Sequence, residues 1–216
     1  MAERPILFSG EMVRAILDGR KTQTRRVITS PRCPYGVPGD RLWVRETWSP
    51  DHRHVYPCIP IVYRADRDAP TPDDYATHQN GCQYETGGPR SAECLRCAGF
   101  RWRPSIHMPR WASRLTLRVT DVRVEMVRDI SEDDARAEGA RWRDAGLDRY
   151  RQRRPGWSWL DPHPVDADPN LGHEHCLGSA QSCFGNLWNA CAKPGLDWIA
   201  NPWVWVVSFN CVEDQA

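Results

Sequence analysis

Residues 9–26 read SGEMVRAILDGRKTQTRR. Ser9 can cap a short helix in which Met12, Val13, Ile16 and Leu17 share one face, and Gly19 supplies the left-handed stop that ends it. The chain then runs straight into Arg20, Lys21, Arg25 and Arg26, with Thr22 and Thr24 interleaved. The β-branched content of residues 22–28 predicts a strand there. A basic cluster of this kind either grips a nucleic-acid phosphate or sets a lysine beside a hydroxyl to do chemistry.

Outward from this stretch the signals are mostly of strands. In YGVPGDRLWVRETW (35–48) a Pro-Gly-Asp turn precedes alternation, with Leu42 and Val44 on one face and Arg41, Trp43 and Arg45 on the other. In SRLTLRVTDVRVEMV (113–127) the apolar positions run Leu115, Leu117, Val119 and then Val122, Val124, Met126. The parity changes at Thr120-Asp121, which predicts a β-bulge or sharp bend. Ser131 caps the short segment EDDARAEG, where Asp134 completes a capping-box pattern and Gly139 terminates. PWVWVVSFNC (202–211) alternates Trp203, Trp205, Val207 and Phe209 against Val204, Val206 and Ser208, and reads as a closing strand. Residues 66–101 and 140–183 show no sustained periodicity and read as loop-rich insertions. The expected architecture is mainly β (α+β): one domain over residues 1–216, a small barrel with short flanking helices and these two insertions.

A chain of 216 residues can bury one sizeable core. Its 29 Lys plus Arg against 28 Asp plus Glu leave a formal charge of +1, so nucleic acid held by bulk electrostatics is disfavoured and any such contact must be local. No segment approaches ~20 consecutive apolar residues, and the start MAERPILFSG lacks a signal-peptide core. A soluble, cytoplasmic protein with no membrane partner is expected. Nine cysteines without a secretory signal point to thiols or metal ligands rather than a disulfide framework.

The order helix, Gly-x-Lys, strand, Pro-Gly-Asp turn, strand, long strand, short acidic helix, final strand resembles the ASCH domain of the PUA-like β-barrel superfamily. GRKTQTRR carries the resemblance most strongly: Gly19, Lys21 and Arg26 match the family pattern Gly-x-Lys-x-x-Glu-x-Arg, and Thr24 stands where that pattern has Glu. A threonine at this place, in a very similar GRKT-x-T run, is also found in small bacterial ASCH enzymes that hydrolyse N4-acetylcytidine. The wider sequence, including WRPSIHMPRWASR (102–114), looks closest to larger ASCH proteins of phages and prophages. The resemblance covers roughly residues 5–66, 101–140 and 184–211. It implies a catalytic group of Lys21, Thr24 and, by matching the acidic helix, Glu138.

That group suits amide hydrolysis. A neutral lysine near a hydroxyl can act as its base, and a charged one can stabilise the oxyanion. The expected reaction removes the acyl group from N4-acylated cytidine or cytosine: Thr24 attacks, Lys21 activates it or holds the oxyanion, Glu138 donates a proton to the leaving amine, and no metal is required. Lys21 and Thr24 at i and i+3 do not share a face in a regular strand, but a turn between helix and strand can bring them together. Around them Arg26, with Arg20 and Arg25, could bind phosphate; Trp43, Trp111 and Trp203 could stack on a base; and Ser105 and His107, braced by Pro104 and Pro109, are substrate-pocket candidates. The bland alternatives are a surface Lys21–Glu138 ion pair, solvent-facing arginines and core tryptophans. Other functional classes that suit the same residues are a PUA-like module that binds RNA or a modified base without turnover, and a ribonuclease. Separately, Cys94-x-x-Cys97 with Cys82 and either His78 or Cys58 could close a structural zinc site, and His173, His175, Cys176 and Cys183 form a looser second set.

Overall fold

In the computed structural model, described for residues 1–50, 61–66, 101–143, 155–160 and 177–212, the chain divides into two compact units. The first comprises Met1–Ile6, Glu11–Val44 and Leu115–Ala216; the second comprises Leu7–Gly10 and Arg45–Arg114.

The first unit is built on a five-stranded sheet of β1 (Glu3–Leu7), β2 (Gln23–Val27), β3 (Arg41–Arg45), β6 (Thr116–Met126) and β9 (Trp203–Val212), in the order β1-β3-β6-β9-β2. Strands β4 (Trp48–Pro50) and β5 (Ile61–Tyr63) pair with each other in the second unit, and β7 (Arg141–Arg143) pairs with β8 (Gly156–Ser158) in the first. Among the described residues three α-helices accompany the strands: α1 (Gly10–Leu17), α2 (Glu132–Ala137) and α3 (Ala180–Cys191). This is a mixed α+β fold, mostly sheet. Among the described residues no ladder joins β2 to β1, so the sheet is not closed into the expected barrel and β2 is an edge strand.

The local expectations can be checked one by one. Helix α1 ends at Gly19 with φ +70°, and β3 buries Leu42 and Val44 as the alternation predicts. The parity change in β6 is a register shift between Val119 and Asp121 against β9, with Val119 opposite Phe209 and Asp121 opposite Ser208. The bulge has a consequence in β9 that simple alternation misses. Val204 and Val206 are buried and so are Val207 and Phe209, so the buried face changes along the strand. Val204 and Val206 pack with Val127, Ile130, Ala135, Phe184, Leu187 and Trp188, which ties α2 and α3 to the sheet. Each large apolar side chain so buried contributes about 1.5–3 kcal/mol.

Ser131 caps α2 by accepting from the Asp134 N–H at 3.1 Å. The Asp134 carboxylate is held by Arg25 and Arg123 rather than serving only as the second half of a capping box. Part of the stretch 140–183 departs from the insertion reading: it holds the β7–β8 pair and the first turn of α3. Three-residue strands are too short to display a period, which is why no pattern betrayed them.

The second unit packs Trp48, 2 % exposed, against Met108 and Ala112, with Trp111 edge-on to Trp48 at 5.7 Å. Arg114 grips the buried Glu46 carboxylate through two hydrogen bonds of 3.0 and 3.1 Å and reaches Asp66 at 2.6 Å.

Gly139 decides how α2 meets the start of β2. Its φ is +110°, and a Cβ built there would stand 3.1 Å from Ala15 Cβ and 3.5 Å from Lys21 Cβ. Gly139→Ala therefore combines backbone strain with crowding, and a loss of roughly 1–3 kcal/mol in urea unfolding is expected. Gly178→Ala, with nothing within 4 Å, is the control and should change stability far less.

Candidate active site

Lys21 lies between α1 and β2, and the backbone around it is fixed from two sides. Its N–H donates to the Ala15 carbonyl of α1 at 2.9 Å, and Lys21 and Glu138 form an isolated antiparallel bridge. Thr22 donates its N–H to Ala137 O at 2.9 Å while its carbonyl accepts from Phe209 N at 2.8 Å. In a regular strand the two groups of one residue point the same way, so their divergence marks a twist between Lys21 and β2. The expected irregularity between lysine and threonine is therefore present, at Thr22.

The twist brings the Lys21 ammonium under the end of α2, where it donates to Glu138 Oε2 at 2.6 Å and to Glu138 O at 3.0 Å. Both side chains are shut away from solvent, at 0 % and 4 % exposure. The pair is thus not the surface ion pair that the bland reading supposed. Burial pushes the Lys21 pKa down; the charge and hydrogen bond of Glu138 push it back up, and the net direction is downward.

Arg25 is the larger surprise. Basic side chains along a strand usually face water, yet that of Arg25 is fully buried. Its NH1 donates to Gln23 Oε1 at 2.6 Å and lies 3.4 Å from Glu138 Oε1; its NH2 donates to Glu125 and Asp134, both at 3.0 Å. The Phe184 ring stands 5.7 Å from its guanidinium carbon. Arg123 adds a bond to Asp134 at 2.8 Å and another to Glu125. Three cations (Lys21, Arg25, Arg123) thus meet the carboxylates of Glu125, Asp134 and Glu138, with the more exposed Asp121 3.6 Å from Arg123. Burial raises the Asp134 carboxyl, but the Arg25 and Arg123 guanidiniums outweigh it and hold it below its ordinary value.

Glu138 opens from this cluster onto a cavity of about 300 Å³. Thr24, Arg25, Arg26 and Val27 of β2 line it, with Tyr35 and with Phe184, Leu187, Trp188 and Cys191 of α3 among the other walls. Helix α3 is held in place from α2: Glu132 accepts from the N–H groups of Ala180 and Gln181 at 2.9 and 3.3 Å. One short helix therefore positions both the carboxylate and the aromatic wall. Trp188 is fixed in turn by its Nε1–H donating to Leu196 O at 2.8 Å.

The other expected site residues fall as follows. Thr24 is 3 % exposed, opposite Val207 in the ladder, and lines the cavity with Glu138; no hydrogen bond joins it to Lys21 among the described residues. Arg26 lines the cavity as well. Trp43 is a half-buried residue of β3 opposite Thr116, while Trp203 and Trp111 are 54 % and 71 % exposed. None of the three is among the lining residues. Ser105 and His107 form a single 3-10 turn in the second unit. Cys58, His78, Cys82, Cys94, Cys97, His173, His175 and Cys176 lie outside the described residues; Cys183 is buried in α3. Among the described residues no group of three or more His, Cys, Asp or Glu could hold a metal ion.

Sequence reasoning missed α3, although Ser179 is a good cap and Ala180, Phe184, Leu187, Trp188 and Cys191 follow a helical period. It also missed Arg25 as a buried hub, for which the sequence holds no local signal. Comparison of the chain with protein-family models, with curated proteins and with solved structures yields no match.

The buried pair can be tested by removing one side and then both. Glu138→Leu strands the Lys21 ammonium and should cost about 3–5 kcal/mol, whereas Lys21→Met combined with Glu138→Leu should recover much of that loss. Asp134 gives a pH test. Its folded-state pKa lies below the unfolded value, so its contribution is present above the ordinary carboxyl pKa and is lost as pH falls through the folded-state value. The stability gap between wild type and Asp134→Asn, measured by urea unfolding, should accordingly be open at neutral pH and narrow in acid.

Proposed function

We propose that this protein is an amidohydrolase of the ASCH type that removes the acyl group from N4-acylated cytidine or cytosine. The observation that carries the reading is the buried Lys21–Glu138 pair, 2.6 Å apart, whose carboxylate opens with Thr24 onto a cavity of about 300 Å³. That volume is at the small end of ligand sites and suits a base or nucleoside. The threonine in GRKTQTRR gives the pair something to activate.

In the reaction, Thr24 Oγ1 attacks the acyl carbonyl and its proton passes to the Lys21–Glu138 pair. The depressed pKa of Lys21 makes its neutral, proton-accepting form easier to reach. The tetrahedral oxyanion forms near the cationic groups of the site. Its collapse breaks the C–N bond, Glu138 delivers a proton to the departing N4 amine, and the acyl group stays on Thr24 as an ester. Water then hydrolyses the ester, releasing the carboxylic acid and restoring the threonine.

A base-binding module without turnover is the second reading. It is favoured by one feature: the Lys21 ammonium already donates twice to Glu138 and makes no bond to Thr24.

Incubation with N4-acetylcytidine separates the two, with cytidine as the product to detect. Turnover is expected in the wild type. Thr24→Val, nearly isosteric, should abolish it with little loss of stability, and Lys21→Ala should lower the rate by more than ~10²-fold. A Thr24→Val protein that keeps most of its rate would remove threonine from the mechanism. Binding of several N4-acylcytidines with no hydrolysis of any would establish the binding module instead.

A further inference from the structure

One wall of the cavity is the strand β2 itself. Four consecutive residues of β2, Thr24 to Val27, line it, although successive side chains of a strand point to opposite faces. β9 pairs with β2 along its whole length, yet no β9 residue is among the lining. A cavity over either face of the sheet would touch both strands. This one therefore lies off the outer edge of β2, the edge that no strand covers among the described residues.

The hydrogen-bond phase of the ladder says which backbone groups face it. The Thr22 carbonyl accepts from Phe209 N at 2.8 Å, and Ile28 N donates to Trp203 O at 3.0 Å. In an antiparallel pair bonded and non-bonded positions alternate, so Thr24 and Arg26 are turned towards β9 while Arg25 and Val27 present their N–H and C=O groups outwards. An extended chain sets the carbonyl of one residue beside the N–H of the residue two further on. Arg25 C=O and Val27 N–H thus form an adjacent acceptor and donor at the cavity wall.

We propose that the Arg25 carbonyl and the Val27 N–H read the pyrimidine edge of the ligand, accepting from its exocyclic N4–H and donating to its ring N3. This rests on the proposed function for the identity of the base and goes further by naming what selects it. The complementary pattern, a donor beside an acceptor in one plane, belongs to cytosine and its N4-acyl derivatives; uracil carries an acceptor beside a donor there and presents the wrong signs. With its edge on β2, the ring has the aromatic side chains of α3, Phe184 and Trp188, available as packing partners. At about 300 Å³ the space suits a nucleobase and is too small for an added peptide strand, the other common occupant of a free sheet edge.

Selection by backbone explains why the chain can keep Arg25 itself wholly buried. Its side chain organises the charge cluster while its carbonyl faces the ligand. The ring nitrogen carries the sharpest demand, because replacing it with C–H sets the Val27 N–H against a group that cannot accept.

The test is calorimetric titration of the wild-type protein with cytidine, 3-deazacytidine and uridine, without any need for turnover. In 3-deazacytidine the ring N3 is a C–H while the amine is kept. Cytidine should bind, and both 3-deazacytidine and uridine should bind at least about tenfold more weakly, the scale set by an unsatisfied buried donor. A 3-deazacytidine affinity within about twofold of that of cytidine, or no binding of cytidine at all, would overturn the edge reading. On the protein side, Val27→Pro deletes the outward N–H at an edge position where proline is tolerated, and Val27→Ala controls for the side chain. Val27→Pro should lose clearly more cytidine affinity than Val27→Ala; equal affinity in the two would count against the proposal. The wild-type ligand series decides if Val27→Pro fails to fold. Discrimination by N3 in a protein that leaves N4-acetylcytidine intact would uphold the edge reading and defeat hydrolysis. Hydrolysis by a protein indifferent to N3 would do the reverse.

Discussion

Two cations without access to water, Lys21 and Arg25, set the terms for the rest of the first unit. An isolated buried charge costs several kcal/mol, so each needs carboxylates held at hydrogen-bond distance. Those carboxylates come from β6, from the middle of α2 and from its end: Glu125, Asp134 and Glu138. Satisfying the charges therefore fixes α2 against β2. Once α2 is fixed, Glu132 fixes the start of α3, and α3 forms a wall of the cavity. The charge cluster, the backbone twist at Thr22 and the cavity are one construction.

That dependence explains the division of labour between neighbouring residues. Lys21 and Arg25 both touch Glu138, but in different ways: the lysine at 2.6 Å to its carboxylate and 3.0 Å to its carbonyl, the arginine at 3.4 Å with its terminal nitrogens shared among Gln23, Glu125 and Asp134. Arg25 is a permanent charge that holds the carboxylates in place. Lys21, whose pKa burial lowers, is the member to which the proposed mechanism gives the proton exchange. A purely structural cluster gains nothing from directing one of its carboxylates at a cavity, whereas Glu138 lines one.

Much of the framework was legible in the sequence because its signals are local. The helix before Gly19, the alternation of Leu42 and Val44, the bulge at Thr120-Asp121 and the Ser131 cap each depend on residues within a few positions of one another. The site was less legible, because its partners are 109 to 117 positions apart: nothing in TQTRR says that Arg25 turns inward to meet Asp134 and Glu138. Glu138 was reached only through the resemblance of its helix to a family pattern. Helix α3 had a readable period, but Gln181, Asn186 and Asn189 dilute it and Gly185, which stands close to Trp198, looks like a breaker. Barrel closure, which the separated bent strands and few helices suggested, depends on β1 meeting β2, and no local pattern encodes such a pairing.

The central claim is that the cluster serves a ligand held between the outer edge of β2 and α3. A crystal structure of the protein with cytidine bound tests it most directly. The account predicts a pyrimidine ring in that cavity, its amine edge along Arg25–Val27 and its N4 towards Glu138 and Thr24. Cytidine bound elsewhere on the protein, with this cavity empty, would contradict it.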